Sequence, residues 1–207
     1  MLKTKDIISR EDSLPGRSQA VQLDPKNFLT SESMCPPFVS GRNWCYFAMG
    51  CFWGAERRFW LQPGVTATAV GYIGGYTENP SYEETCSGLT GHTEAVLVIY
   101  DPTVIEFNQL LSVFWESHDP TQGMRQGNDR GSQYRSGIYC SSDTQLAQAL
   151  KTKSIVQQQL SSLGFPSITS EIVLAIKFYY ADSYHQQYLA KNPNGYCGLR
   201  GTGIQCS

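Results

Sequence analysis

Thiols are the residues of this chain best suited to chemistry, and one of the seven stands apart. Cys51 lies in Gly50-Cys51-Phe52-Trp53-Gly54-Ala55-Glu56, where a short apolar run gives way at a glycine to a helical pattern. A thiol at a helix N-terminus faces unpaired backbone N–H groups and the positive end of the helix dipole, which favour thiolate. Thiolate is the reactive form, so the position predicts a nucleophile. A buried small hydrophobe is the competing reading. Phe52 and Trp53 follow directly, as anchors for the helix, as two aromatic faces able to grip an S-methyl group, or as both.

The second candidate is Glu94, within His92-Thr93-Glu94-Ala95-Val96-Leu97-Val98-Ile99-Tyr100. Strand alternation puts Glu94 on one face with Val96, Val98 and Tyr100. A carboxyl on an apolar face is expected to have a raised pKa and to stay partly protonated near neutrality, as a general acid must. The alternative is a solvated carboxylate at a strand end. The third feature is the tail, Gly195 to Cys206, where Gly198, Gly201 and Gly203 separate Cys197 from Cys206. Such a segment is able to swing, and two thiols on it suit a redox relay. A structural metal would need four ligands at characteristic spacing, and no other close Cys or His pair supplies the remainder. Cys45 and Cys140 read as strand residues and Cys35 as part of an arm, while Cys86 carries no assigned role. His92, His118 and His185 are possible bases for a Cys–His hydrolase or acyl transferase, but no sequence context singles one out.

Several elements must position these groups. Residues 1–42 are polar and broken by Cys35-Pro36-Pro37, and read as an N-terminal arm. The rest, 43–207, reads as one domain with a Cys-containing tail from about 190. Strands are predicted over 44–49, 65–72, 93–100, 136–140 and 171–176, and helices over 51–60, 105–118 and 142–162. Long loops are expected at 73–91 and 119–135, and mostly coil after 177. This order predicts an α+β fold: a two-layer mixed-sheet sandwich of the split βαβ, ferredoxin-like kind, with helices on one face and long coils around it.

Composition narrows the partners. Charged residues are 16% of the chain, formal net charge is −2, and no Lys/Arg block is present, so nucleic acid is not expected. No apolar stretch is long enough to span a bilayer, and no apolar run follows Lys3 and Lys5 as in a secretory signal. A cytoplasmic location is expected. Seven cysteines, an odd number, argue for reduced thiols over a disulfide framework. No interface signal stands out, so a monomer is the default expectation.

Taken together, the motifs are similar to those of peptide methionine sulfoxide reductase A. The resemblance rests on Gly50-Cys51-Phe52-Trp53-Gly54 with Glu56, Gly71-Tyr72-Ile73-Gly74-Gly75, Tyr82, Gly91-His92-Thr93-Glu94-Ala95-Val96 and His118-Asp119-Pro120. It continues through Gly127 to Ser136, His185-Gln186-Gln187-Tyr188 and Asn192-Pro193-Asn194-Gly195-Tyr196-Cys197, in order from about 44 to 206.

The resemblance implies a mechanism. Cys51 attacks the sulfoxide sulfur while Glu94 donates a proton toward the oxygen, and Tyr82 and Tyr134 hydrogen-bond that oxygen. Phe52 and Trp53 hold the methyl group, and Asp129 orders substrate or water. Cys51 becomes a sulfenic acid. Cys197 then forms a disulfide with it, and Cys206 resolves that bond into a Cys197–Cys206 pair. Thioredoxin is the implied reductant, the S epimer the implied substrate, and no cofactor or metal is implied.

Overall fold

The computed structural model describes residues 7–206; the first six residues of the expected arm and the last residue of the tail lie outside them. The sheet is organised around β3 (Thr93–Tyr100), in which every residue is buried. Such a run fits the middle of a sheet covered on both faces. β1 (Asn43–Met49) and β2 (Val65–Ile73) flank it, each antiparallel to it. The strand–helix–strand unit made with α1 (Phe52–Trp60) is therefore split by β3, as expected. β6 (Ser136–Cys140) adds outside β1, and β7 (Glu171–Leu174) pairs with it in parallel. β8 (Tyr179–Tyr180) closes the opposite edge, giving the order β7-β6-β1-β3-β2-β8.

Alternation along β3 divides two apolar layers. Val96, Val98 and Tyr100 meet α1, α3 (Phe107–Ser117) and α4 (Asp143–Ser162). In this layer Phe47 stacks on Phe59 at 4.6 Å and touches Phe114 at 5.8 Å. Leu97 and Ile99 face the other way, under Leu23, Met34 and Phe38 of the N-terminal segment and Phe178 and Tyr180 near the C-terminus. So helices cover one face and coil covers the other. The coil is pinned by polar contacts: Asn27 Nδ2 donates to the Thr68 carbonyl at 2.9 Å, and Tyr180 Oη donates to that of Met34 at 2.8 Å.

The sequence reading is corrected in its loops. The stretch 73–91 contains α2 (Tyr82–Cys86), closed by a capping box between Ser81 and Glu84. The Ser-x-x-Glu spacing is its local signal, set among glycines that otherwise mark a loop. The stretch 119–135 contains a hairpin of β4 (Arg125–Gln126) and β5 (Asp129–Arg130), then a 3₁₀ turn over Ser132–Tyr134. β8 and the short α5 (Tyr188–Lys191) lie in what read as coil. These elements are two to five residues long, too short for periodicity to reveal.

Candidate active site

Gly50, with φ +91°, turns the chain out of β1, and a side chain there would collide with Gln126 Cβ at 2.6 Å. The β4–β5 hairpin thus presses directly on the residue before Cys51. Cys51 takes the position before the first residue of α1, and Glu94 Oε2 accepts the Phe52 N–H at 2.9 Å. The nucleophile candidate and the acid candidate therefore share the first turn of one helix.

Their protonation follows from this burial. Glu94 is 2% exposed, and burial pushes its carboxyl up to about 8, with the Asp129 charge adding and the Phe52 N–H opposing. That agrees with the raised pKa expected of a carboxyl on an apolar face. Cys51 departs from the expectation. Burial pushes its thiol well above the usual range, Glu94 and Asp129 add to this, and the Trp53 and Gly54 N–H groups only partly oppose it. The helix end is real, but desolvation beside two carboxyls outweighs it. A protonated Glu94 carries no charge, so ionising Cys51 is easiest when Glu94 holds its proton. One state of Glu94 serves both roles.

The walls are aromatic. Phe52 is buried, 6.0 Å from the Tyr72 ring and 5.4 Å from that of His185. Trp53 stacks on Tyr188 at 4.0 Å, and its Nε1 donates to His185 Nδ1 at 3.2 Å. Tyr82, the first residue of α2, packs on His185 at 4.4 Å. Tyr134 is held by the 3₁₀ turn, which Thr93 Oγ1 ties to β3 by donating to the Gln133 and Arg135 carbonyls at 3.1 and 2.9 Å. Burial raises both phenols, Cys86 and then Glu94 raise Tyr82 further, and Glu94 and then Cys86 raise Tyr134, so each remains a proton donor.

Two residues without an assigned role also belong here. Tyr72 pairs across the strands with Glu94, and its hydroxyl is buried without a hydrogen-bond partner. His185 orients Trp53 through a neutral ring, its pKa lowered mainly by burial. Neither role is visible without the strand register and the chain reversal after β8.

The tail approaches from outside. Cys197 Sγ lies 3.0 Å from where a Cβ at Gly54 would be, and Tyr196 Oη donates to both Asp129 oxygens at 3.4 and 3.3 Å. Leu199 and Ile204 are buried in the helix-side core, and the Cys206 N–H donates to Glu116 Oε1 at 2.6 Å. The Cys206 thiol lines a cavity of about 330 Å³ between α3 and α4, and burial pushes it up to about 11, with Glu116 adding. The tail, read as free to swing, lies docked along its length. Among the residues considered for chemistry, Cys51, Glu94, Phe52, Trp53, Tyr82, Tyr134, Asp129 and Cys197 gather around one helix end, and Cys206 sits against different elements.

Residues 43–204 match the family described as peptide methionine sulfoxide reductase. The chain belongs to that family. Peptide methionine sulfoxide reductase MsrA 2 of Nostoc sp. is 58% identical over 95% of this chain and 88% of its own. Among solved structures, methionine sulfoxide reductase A of Corynebacterium diphtheriae is 41% identical, covering 97% of this chain and 98% of that one with a TM-score of 0.88. Mxr1 of Saccharomyces cerevisiae in reduced form is 36% identical, over 77% and 90%, with a TM-score of 0.71. Mxr1 in complex with Trx2, 23% identical over 87% and 93% with a TM-score of 0.52, shares the fold.

Membership in the methionine sulfoxide reductase family leaves no place for a Cys–His hydrolase, and the histidines agree. His92 accepts the Gly75 N–H at Nδ1 and donates from Nε2 to the Thr77 carbonyl. His118 is held by the Phe114 carbonyl and Ser136 Oγ. The Nδ1 of His185 is taken by Trp53, and its Nε2 faces Asp182 at 3.9 Å. Among the described residues no histidine ring nitrogen is hydrogen-bonded to Cys51.

Proposed function

We propose that this chain reduces the S epimer of methionine sulfoxide, in proteins, peptides and the free amino acid, through a thiol relay starting at Cys51. The observation that carries the reading is the buried Glu94 carboxyl, bonded to the N–H that follows Cys51 and pushed by burial up to about 8. The Cys51 sulfur attacks the sulfoxide sulfur as Glu94 protonates the oxygen. The methionine S–O bond and the transient sulfur–sulfur bond to Cys51 break as the oxygen bonds to the Cys51 sulfur, so methionine leaves and Cys51 holds the oxygen as a sulfenic acid. The Cys51 proton restores Glu94. Tyr82 and Tyr134 donate to the oxygen as charge gathers on it, each contributing about 2.7–4 kcal/mol if they act as oxyanion-hole donors do. Phe52 and Trp53 hold the methyl group and Asp129 the substrate's polar part.

Cys197 then condenses with the sulfenic acid, releasing water and forming the Cys51–Cys197 disulfide. Cys206 attacks the Cys197 sulfur, frees Cys51 and leaves Cys197–Cys206. Because Cys206 starts bound to Glu116, this step includes release of the tail from α3 and α4. A thioredoxin reduces the last disulfide, a reading supported by the Trx2 complex of yeast Mxr1. Residues 43–207 form the catalytic unit and 1–42 an arm. A cytoplasmic location is part of this reading, because an odd number of cysteines suits thiols kept reduced. No helix among the described residues is long and apolar enough to cross a membrane.

The test is turnover of separated S and R sulfoxide peptides with dithiothreitol and with thioredoxin. The wild type is expected to reduce only the S epimer, Cys51→Ser to be inactive, and Cys197→Ser to fail with thioredoxin. Absence of turnover on both epimers would overturn the reading.

A further inference from the structure

Tyr196 is half-exposed, at 47%, yet its hydroxyl reaches both oxygens of Asp129, the residue read as a substrate contact. The contact spans from the β4–β5 hairpin to the tail residue immediately before Cys197. Its backbone is shaped to suit: a Cβ at Gly198 would lie 2.3 Å from Tyr196 Oη, so the tyrosine folds back across Cys197 onto a position that only glycine leaves open. The fold brings Cys197 Sγ to the place where a side chain at residue 54 would stand. Residues 51 and 54 share one face of the helix start, three residues apart. Gly54 therefore provides the room in which Cys197 waits beside the first turn.

We propose that Tyr196 is a positioning residue for the second step: its bond to Asp129 latches the tail over the site and sets Cys197 against the Cys51 turn. Asp129 then has two successive partners. The entering sulfoxide takes Asp129 and displaces Tyr196. Departure of methionine releases Asp129, Tyr196 returns, and Cys197 arrives where the sulfenic acid has formed. The latch makes disulfide formation follow product release. It rests on the assignment of Cys51, Cys197 and Asp129 given above, and it assigns to Tyr196 a role separate from the oxygen-transfer chemistry.

The test is a single turnover of Tyr196→Phe in a Cys206→Ser background, where the Cys51–Cys197 disulfide persists, compared with Cys206→Ser alone, with excess S-sulfoxide peptide and no reductant. Two quantities are followed: the burst of methionine, and the appearance of the Cys51–Cys197 disulfide by mass spectrometry. The methionine burst should keep the rate of Cys206→Ser alone within about twofold, while disulfide formation slows about tenfold, as expected when a reacting group loses its orientation. Dimedone should trap correspondingly more Cys51 sulfenic acid. With dithiothreitol as reductant, KM should fall, because no hydroxyl competes for Asp129. Gly198→Ala, which pushes the ring off its seat, should slow the same step. Disulfide formation with Tyr196→Phe at the rate of Cys206→Ser alone would overturn the latch, as would equal slowing of both steps. If the wild type itself gives no methionine burst, the relay reading fails and the latch fails with it.

Discussion

Around Cys51 every contributing group stands at the end of a strand or helix or is bonded to one, whereas residues 193–206 form neither helix nor strand. Glu94 is fixed by β3, the Phe52 N–H and burial on all sides. The tail is held by Leu199 and Ile204 in the core, by the Cys206–Glu116 bond, and by Gly201 lying against the Glu116 carbonyl. Burying two such side chains stabilises docking by about 1.5–3 kcal/mol each, before the entropy of ordering the segment is subtracted. Docking of that strength opens readily on the scale of local unfolding. The difference suits the tasks proposed for the two regions. A proton donor must not move relative to the sulfur it serves, but a relay thiol must be held and then released.

The sharpest way to break this comparison is Glu94→Gln. It retains a side chain able to accept the Phe52 N–H but has no proton to give, so methionine release should slow by about 10²–10⁴ with little change in thermal midpoint. Loss of stability without selective loss of rate would place Glu94 on the structural side of the ledger. In the wild type the same step should slow as pH rises through about 8, where Glu94 loses its proton; a rate that climbs through that pH would contradict its role as acid.

A smaller effect is expected from Gly201→Ala. The new Cβ would lie 1.8 Å from the Glu116 carbonyl oxygen, so the tail must shift. A loss of about 1–3 kcal/mol is expected, as for other overpacked contacts. Cys206 should alkylate faster while the methionine burst is unchanged. Slowing of the burst would show that the two regions are not separable.

The smallest and most gradual effect concerns Glu56 of α1. It is fully buried, its Oε1 accepting from Thr68 Oγ1 at 2.9 Å and Gln187 Nε2 at 2.8 Å, and burial pushes it up to about 7. Gln187 in turn accepts the Phe28 N–H, so this carboxyl helps fasten the N-terminal coil to the site helix. Its folded pKa lies above the ordinary value of 4.5. The folded state therefore holds the proton longer, and the part of the stability owed to Glu56 declines as pH rises from about 4.5 to about 7, within the wider decline to about 8 that Glu94 adds. Denaturant titrations across that window should show the combined slope, and Glu56→Gln should make it shallower. An unchanged slope in the variant would assign the effect to another group.

Much of the frame was readable from local pattern. β1 and β6 announce themselves as short apolar runs, β2 and β3 by runs rich in Val, Ile and Thr, and α1, α3 and α4 by helical spacing. Strand alternation alone put Glu94 on the side of Val96 and Val98, which is the helix side. The pieces that complete the site were not readable in the same way. α2, which carries Tyr82, is five residues long, and the β4–β5 hairpin carrying Asp129 pairs two residues with two. Short elements are chosen by contacts with distant chain, here Gly50 against Gln126 and Thr93 against the turn before Tyr134.

By itself, then, the sequence determined the split βαβ frame, the residues proposed to carry the chemistry and the apolar face on which Glu94 stands, because these depend on residue type and on periods of two and 3.6. Tertiary structure decided the rest. Whether Cys51 rests as thiol or thiolate is set by how much water and how many carboxyls surround it. Tyr72 becomes a neighbour of Glu94 only through β2–β3 register. The tail is seated only because α1, α3 and the hairpin offer surfaces drawn from distant parts of the chain. Desolvation, register and docking are sums over neighbours far apart in sequence, and no local pattern contains them.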